Sequence, residues 1–214
     1  MLRCAITDRT IFPGDDDQRI AALIHQASLW SQQGIEIIQL REKDLPASDI
    51  ADIARQILKL IASSRSILII NTSVEAAIAA RAPGVHISSH HGAISQLEVR
   101  RRFSAAGLPD PIITISCHSL NEIRRASVHT PDAILFAPVF GKVIAGKTVT
   151  PAAGLRTLSE ACQAASPIPV LALGGVTLGR AQMCLNAGAA GIAGIRIFHN
   201  YNPLTPDQTK PSTT

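Results

Sequence analysis

Eight short apolar runs recur along this 214-residue chain, at Leu2–Thr7, Ile35–Leu40, Ile67–Ile70, Val85–Ile87, Ile112–Ile115, Ala133–Phe136, Val170–Leu173 and Gly191–Ile197. Each hands over to a helix-like segment, the pattern of strands in a parallel sheet whose two faces are both covered. In the segment Pro46–Ser64, Ile50, Ile53, Ile57, Leu58 and Ile61 form a 3.6-residue apolar stripe, and Gly34 sits where a glycine closes the preceding helix. Eight strands alternating with helices in this length predict an α/β fold, a compact (β/α)8 TIM barrel in a single domain over 1–200. A doubly wound sheet is the alternative, because strand number alone does not fix closure.

The composition agrees with that reading. The chain is 46% hydrophobic but only 3% aromatic, so its core is expected to be aliphatic. The net charge is +4, and the one dense basic run, Val99–Phe103, reads as a solvated helix face. No nucleic-acid motif accompanies it, so no nucleic-acid partner is expected. Cys4, Cys117, Cys162 and Cys184 are scattered, as reduced thiols are. No leader pattern and no membrane-length apolar run occur, and a cytoplasmic protein without a membrane partner is expected. Residues 201–214 are polar and rich in Pro and Thr, and are expected to form a mobile tail.

A barrel of this kind collects its polar chemistry where the strands end and the βα loops meet. Gln39, Arg41 and Lys43 fall at the end of the second run, with Glu42 and Asp44 between and beyond them, expected to turn away toward neighbouring helices. The same logic selects Asp8, Asn71, His86, Ser88, Ser116 and His118, then Lys142 and Lys147 after the sixth run. Several cations with convergent amides and hydroxyls suggest a phosphorylated ligand. The segment "ALGGVT" would let the backbone N–H groups of Gly174 and Gly175 approach a phosphate, and "GIAGIRI", with Gly194, Ile195 and Arg196, would close that pocket. A Gly-Gly turn that only tightens the link from strand to helix is the bland alternative. His118 is of the residue type that takes and returns a proton in acid/base catalysis, or it fixes the turn before the next helix, alone or through Ser119. His90 and His91 lack the accompanying ligands of a metal site, and Cys117 is expected to pack rather than react.

Taken together, "AITD" at Ala5–Asp8, "QLREKD" at Gln39–Asp44, "LIIN" at Leu68–Asn71, "GVHI" at Gly84–Ile87, "SCHSLNE" at Ser116–Glu122, "FAPVF" at Phe136–Phe140, "PVLALGGV" at Pro169–Val176 and "AGAAGIAGI" at Ala187–Ile195 resemble the thiamine phosphate synthase and thiazole tautomerase (TenI-type) superfamily. The resemblance spans about Leu2 to Phe198. It implies a TIM barrel that binds thiazole phosphate at Gly174, Gly175, Gly194 and Ile195. In the synthase branch Gln39 would lie near a pyrimidine diphosphate, Arg41, Lys43 and Asn71 would hold its diphosphate, and Ser116 and Lys147 would join the substrate set. That branch uses magnesium on two carboxylates, where this chain has Thr72 and His91, and it has a serine where this chain has Arg196. Magnesium favours hard oxygen ligands, so their loss would weaken it. The resemblance therefore implies first a metal-independent tautomerase-like isomerase with His118 as acid/base and no cofactor. The alternatives are a magnesium-dependent synthase joining pyrimidine diphosphate to thiazole phosphate, and a non-catalytic sensor of thiamine intermediates. A homodimer is compatible with any of the three. Outside the family, a barrel isomerase of sugar phosphates would share the glycine pocket.

Overall fold

The structure is a computed structural model that describes residues 1–88, 93–144 and 147–199. Eight parallel strands close into a barrel in the order β1, β10, β9, β6, β5, β4, β3, β2. These are β1 (Leu2–Ile6), β2 (Ile37–Leu40), β3 (Ile67–Asn71), β4 (Gly84–Ser88), β5 (Ile112–Cys117), β6 (Ala133–Phe136), β9 (Val170–Ala172) and β10 (Gly191–Gly194). Outside them lie α1 (Asp16–Gln32), α2 (Ala47–Ile61), α3 (Val74–Ala80), α4 (Gln96–Ala105), α5 (Leu120–Ser127), α6 (Gly154–Ala165) and α7 (Leu178–Asn186). A short 3-10 helix, Arg9–Ile11, follows β1. The doubly wound alternative is excluded, since β1 pairs with both β2 and β10.

All eight sequence-predicted strands are present: β1, β2, β9 and β10 are shorter than expected, β3, β4 and β5 run longer, and β6 matches. Ile35 is not on β2, because its N–H donates to Trp30 O at 3.0 Å and finishes α1 instead. The chain turns there at Gly34, whose φ of +73° suits a glycine after a helix. The start of α1 is fixed by a capping box between Asp15 and Gln18. The last strand stops at Gly194, so Ile195 and Arg196 belong to a turn at the barrel mouth. The feature not foreseen is a two-stranded antiparallel hairpin, β7 (Lys142–Ile144) and β8 (Lys147–Thr150), in the loop after β6.

Two apolar layers hold the barrel. Strand alternation sends Cys4, Ile6, Ile37, Ile69, Leu135, Leu171 and Ala193 to the interior, and sends Ile38, Leu68, Ile70, Val85, Ile113 and Ile134 outward against the helices. Helix α2 buries Ile50, Ile53, Ile57 and Ile61 against that outer layer. Cys117 also faces outward and is fully buried, as expected of a packing thiol. The interior column is aliphatic only up to a level near the strand C-terminal ends. Above it, on β2 to β5, the inward residues turn polar as Gln39, Asn71, His86, Thr114 and Ser116, and that change of chemistry locates the site.

Candidate active site

The end of β2 is held by residues of the first βα loop. Thr7 Oγ1 accepts from Arg41 N at 2.9 Å and donates to Glu42 Oε1 at 2.6 Å. Arg9, only 5% exposed, meets Glu42 at 3.3 Å and forks onto Asp44 at 2.8 and 2.7 Å. It also reaches Asp16 on α1 at 2.9 Å. The two anions of "REKD" pair with Arg9 on the short 3-10 helix after β1 rather than with one of the outer α-helices. The hydrogen bond from Arg9 lowers Asp44 to about 2. With the anions engaged, Arg41 and Lys43 form no ion pair among the described residues, leaving two cations available to an anionic ligand.

The polar layer inside the barrel begins beside them. Gln39 is 1% exposed; its Nε2 donates to Asn71 Oδ1 at 3.0 Å, while its buried Oε1 has no partner among the described residues. A buried amide oxygen without a donor carries an unrecovered desolvation cost, which a ligand N–H would remove. On the adjoining strands, His86 places Nδ1 at 2.8 Å from Thr114 Oγ1 and Nε2 at 2.7 Å from Ser116 Oγ. Burial first, then the positive charge of Arg41, pushes the His86 ring down to about 4, so it is neutral at physiological pH.

His118 stands just beyond β5, exposed, with Nδ1 at 2.8 Å from Ala137 O. A carbonyl can only accept, so Nδ1 donates to it, and Nε2 is the nitrogen left for another partner. The helix is capped by Ser119 rather than by the imidazole, for Ser119 Oγ accepts from Glu122 N at 3.2 Å. The capping role suggested for this segment therefore falls to Ser119.

Across the mouth the wall is backbone. Gly174 and Gly175 have φ of +87° and +65°, and a Cβ on either would lie 2.7 Å from Pro138 Cα or 2.8 Å from Phe140. The Gly-Gly turn therefore does tighten a link, against the β6 loop, and the same bareness opens a cavity of about 400 Å³ that Gly174, Gly175, Gly194, Ile195 and Arg196 line. The first turn of α7 opens nearby without a side-chain cap at Thr177, and Arg180 lies 4.8 Å over the Phe140 ring. Uncapped N–H groups and guanidinium groups around a concave backbone suit an anion. Lys142 and Lys147 occur on the two strands of the β7–β8 hairpin, and their side chains lie outside the described residues.

The magnesium implied by the family resemblance finds a poor donor set. Thr72 offers only a hydroxyl, and it holds φ at 58°, uncommon for a β-branched residue. Asp8, a conceivable substitute ligand, already accepts from Thr10 N at 3.1 Å and Thr10 Oγ1 at 2.6 Å. Glu42 and Asp44 are taken by Arg9, and no cluster of three His, Cys, Asp or Glu forms a metal site among the described residues. His90, His91 and the tail residues 201–214 lie outside the described residues. Among those described, no helix is long and apolar enough to cross a membrane.

Sequence reasoning missed Thr7, Arg9 and Thr114. The first two look like ordinary residues after a strand, and Thr114 becomes polar chemistry only when alternation turns it toward His86. A family model described as thiamine monophosphate synthase matches residues 4–198. Thiamine-phosphate synthase from Caldanaerobacter subterraneus subsp. tengcongensis is 32% identical over 193 residues, covering 89% of this chain and 83% of that protein. Thiamine-phosphate synthase from Methanoculleus marisnigri is 31% identical over 191 residues, covering 88% and 82%. Among solved structures, thiamine phosphate pyrophosphorylase from Pyrococcus furiosus superposes with a TM-score of 0.75 at 23% identity, covering 94% of this chain and 88% of that one, a likeness of fold.

Proposed function

This chain belongs to the thiamine monophosphate synthase family, and we propose that it joins a pyrimidine diphosphate to a thiazole phosphate with release of diphosphate. The observation that carries the reading is the two-part mouth. A side-chain half offers the unpartnered Gln39 oxygen beside Arg41 and Lys43, and a backbone half offers a bare glycine cavity next to Arg196. One half suits a heteroaromatic ring with an anionic leaving group, the other a phosphate. The names of the relatives point the same way.

In this reading Gln39 Oε1 accepts from the pyrimidine, while Arg41 and Lys43 neutralise the diphosphate. The thiazole nitrogen bonds to the pyrimidine methylene carbon as the carbon–oxygen bond to diphosphate breaks, and diphosphate departs with the electron pair. Charge developing on the leaving oxygens is met by preorganised cations, which lowers the barrel's reorganisation cost during the step. Because the described donors do not fit magnesium, the step is assigned to cationic side chains and no metal is given a role.

A second reading, the metal-independent tautomerase, is favoured by His118, whose Nδ1 donates to Ala137 O and whose Nε2 is left for a substrate. The deciding assay is thiamine phosphate formation from the two substrates, with and without magnesium, beside an active synthase. Product identifies the synthase. Absence of product, with isomerisation of a thiazole carboxylate phosphate that is lost in His118→Ala, identifies the tautomerase. Tight binding of thiazole phosphate without either turnover identifies a sensor.

A further inference from the structure

His86 is the one buried imidazole inside the described barrel, and each of its ring nitrogens meets a hydroxyl rather than a carboxylate. The register explains how. His86 is level with Thr114 and Ser88 is level with Ser116, so one inward residue of β4 spans two successive inward residues of β5. Thr114 is 1% exposed at the inner end, whereas Ser116 is half-buried toward the mouth. The three groups form a polar chain from the barrel interior toward the ligand space, next to Asn71, which is level with His86 on β3.

Filling space does not require this arrangement, since Leu135, level with Ser116 on β6, and Leu171, level with Leu135 on β9, fill the same interior with aliphatic side chains. A neutral imidazole carries one N–H and one lone pair, so the chain has two self-consistent directions. In one, Nε2–H donates to Ser116, whose own O–H is then free to donate to a ligand. In the other, Ser116 donates to Nε2, and its lone pairs face the ligand as acceptors. Ring burial keeps both directions uncharged, and Thr114, able to donate or accept, accommodates either.

We propose that His86 is a positioning residue that sets the hydrogen-bond polarity of Ser116, switching tautomer so that Ser116 presents a donor or an acceptor to the heteroaromatic substrate. This rests on the synthase reading for the identity of that substrate, though not for the coupling itself. The exchange balances through water at the mouth: the imidazole gives up the proton on one nitrogen and takes one on the other, the hydroxyl hydrogens of Thr114 and Ser116 rotate to match, and ring and hydroxyls are neutral before and after.

Two arms test it on the full chain. In the first, protein labelled with ¹⁵N-histidine is followed by long-range proton–nitrogen correlation, free and with inorganic diphosphate plus thiazole phosphate, in wild type, Ser116→Ala and Thr114→Val. The expected result is a neutral His86 ring between pH 5.5 and 8 whose tautomer populations change in each variant. A doubly protonated ring at pH 5.5, or tautomer populations indifferent to both variants, overturns the proposal. In the second arm, His86→Gln and Ser116→Ala are each expected to lower kcat for thiamine phosphate formation by about 10- to 100-fold. KM for thiazole phosphate should hardly change, the double variant should be no worse than either single one, and Ser116→Thr should recover part of the loss. Independent, multiplying losses would sink the coupling. If wild type forms no thiamine phosphate, the synthase reading fails, and the spectroscopic arm still decides the role of His86.

Discussion

The two halves of the barrel mouth are built from different materials. Between β2 and β5 the working surface consists of side chains: Gln39, Asn71, His86, Thr114 and Ser116 reach inward, Gln39 bonded to Asn71 and His86 to both Thr114 and Ser116. Between β9 and β10 it consists of backbone bared by Gly174, Gly175 and Gly194. A side-chain surface can be retuned one group at a time, whereas a backbone surface is fixed by its packing against the β6 loop. The halves should therefore fail differently when altered.

The largest effect is expected at Gly174. Its Cβ would meet Pro138 Cα at 2.7 Å and its φ is +87°, so Gly174→Val should destabilise the chain by more than about 4 kcal/mol. Loss of ligand binding would then come with loss of fold, measured by urea denaturation. Selective loss of phosphate affinity at unchanged stability would break the contrast between the halves.

The next largest is expected under the side-chain half. Replacing Arg9 with Met leaves Glu42, only 4% exposed, without its cation, at a cost of about 3 kcal/mol. Because Thr7 ties the same carboxylate to Arg41 N, affinity for inorganic diphosphate should fall as well, which isothermal calorimetry would read.

Acid provides a third test. His86 is lowered from its ordinary 6.5 to about 4, chiefly by burial, so below pH 6.5 the unfolded chain takes a proton that the folded chain refuses. Stability should be fully present above pH 6.5 and decline as pH falls toward 4, by up to about 3 kcal/mol. His86→Gln should flatten that part of the curve; an unchanged slope would place the acid sensitivity elsewhere.

The smallest effect is expected at Thr72. Its φ of 58° is left-handed like that of the glycines, yet it lies on the side-chain half. Thr72→Asn should gain about 1 kcal/mol, since Asn tolerates this conformation better than a β-branched residue does. The melting temperature checks it, and a loss of stability would mean that the Thr72 methyl group is needed.

The contrast also explains what could be read in advance. Apolar runs and their helix-like partners marked all eight barrel strands, and the polar residues at strand ends, Gln39, Asn71, Ser116 and His118, were visible as candidates. The partners of those residues were not. Thr114 is 28 positions from His86 and Arg9 is 33 from Glu42, distances at which no local pattern links a pair. The hairpin of β7 and β8 escaped because strands of three and four residues are too short to show the periodicity that announces a strand.

By itself the sequence determined the alternation of strand and helix, the aliphatic core, and the presence of cations, amides and glycines at strand ends. Those follow from local propensity and from the burial that apolar periodicity demands. Only the closed barrel decided which polar atoms meet: that Arg9 takes up the anions beside Arg41 and Lys43, that Gln39 keeps an unpartnered oxygen, and that His86 bridges Thr114 and Ser116. Register and closure are collective properties of eight strands, so the pairing of side chains across them comes into being only when the sheet joins its own edges.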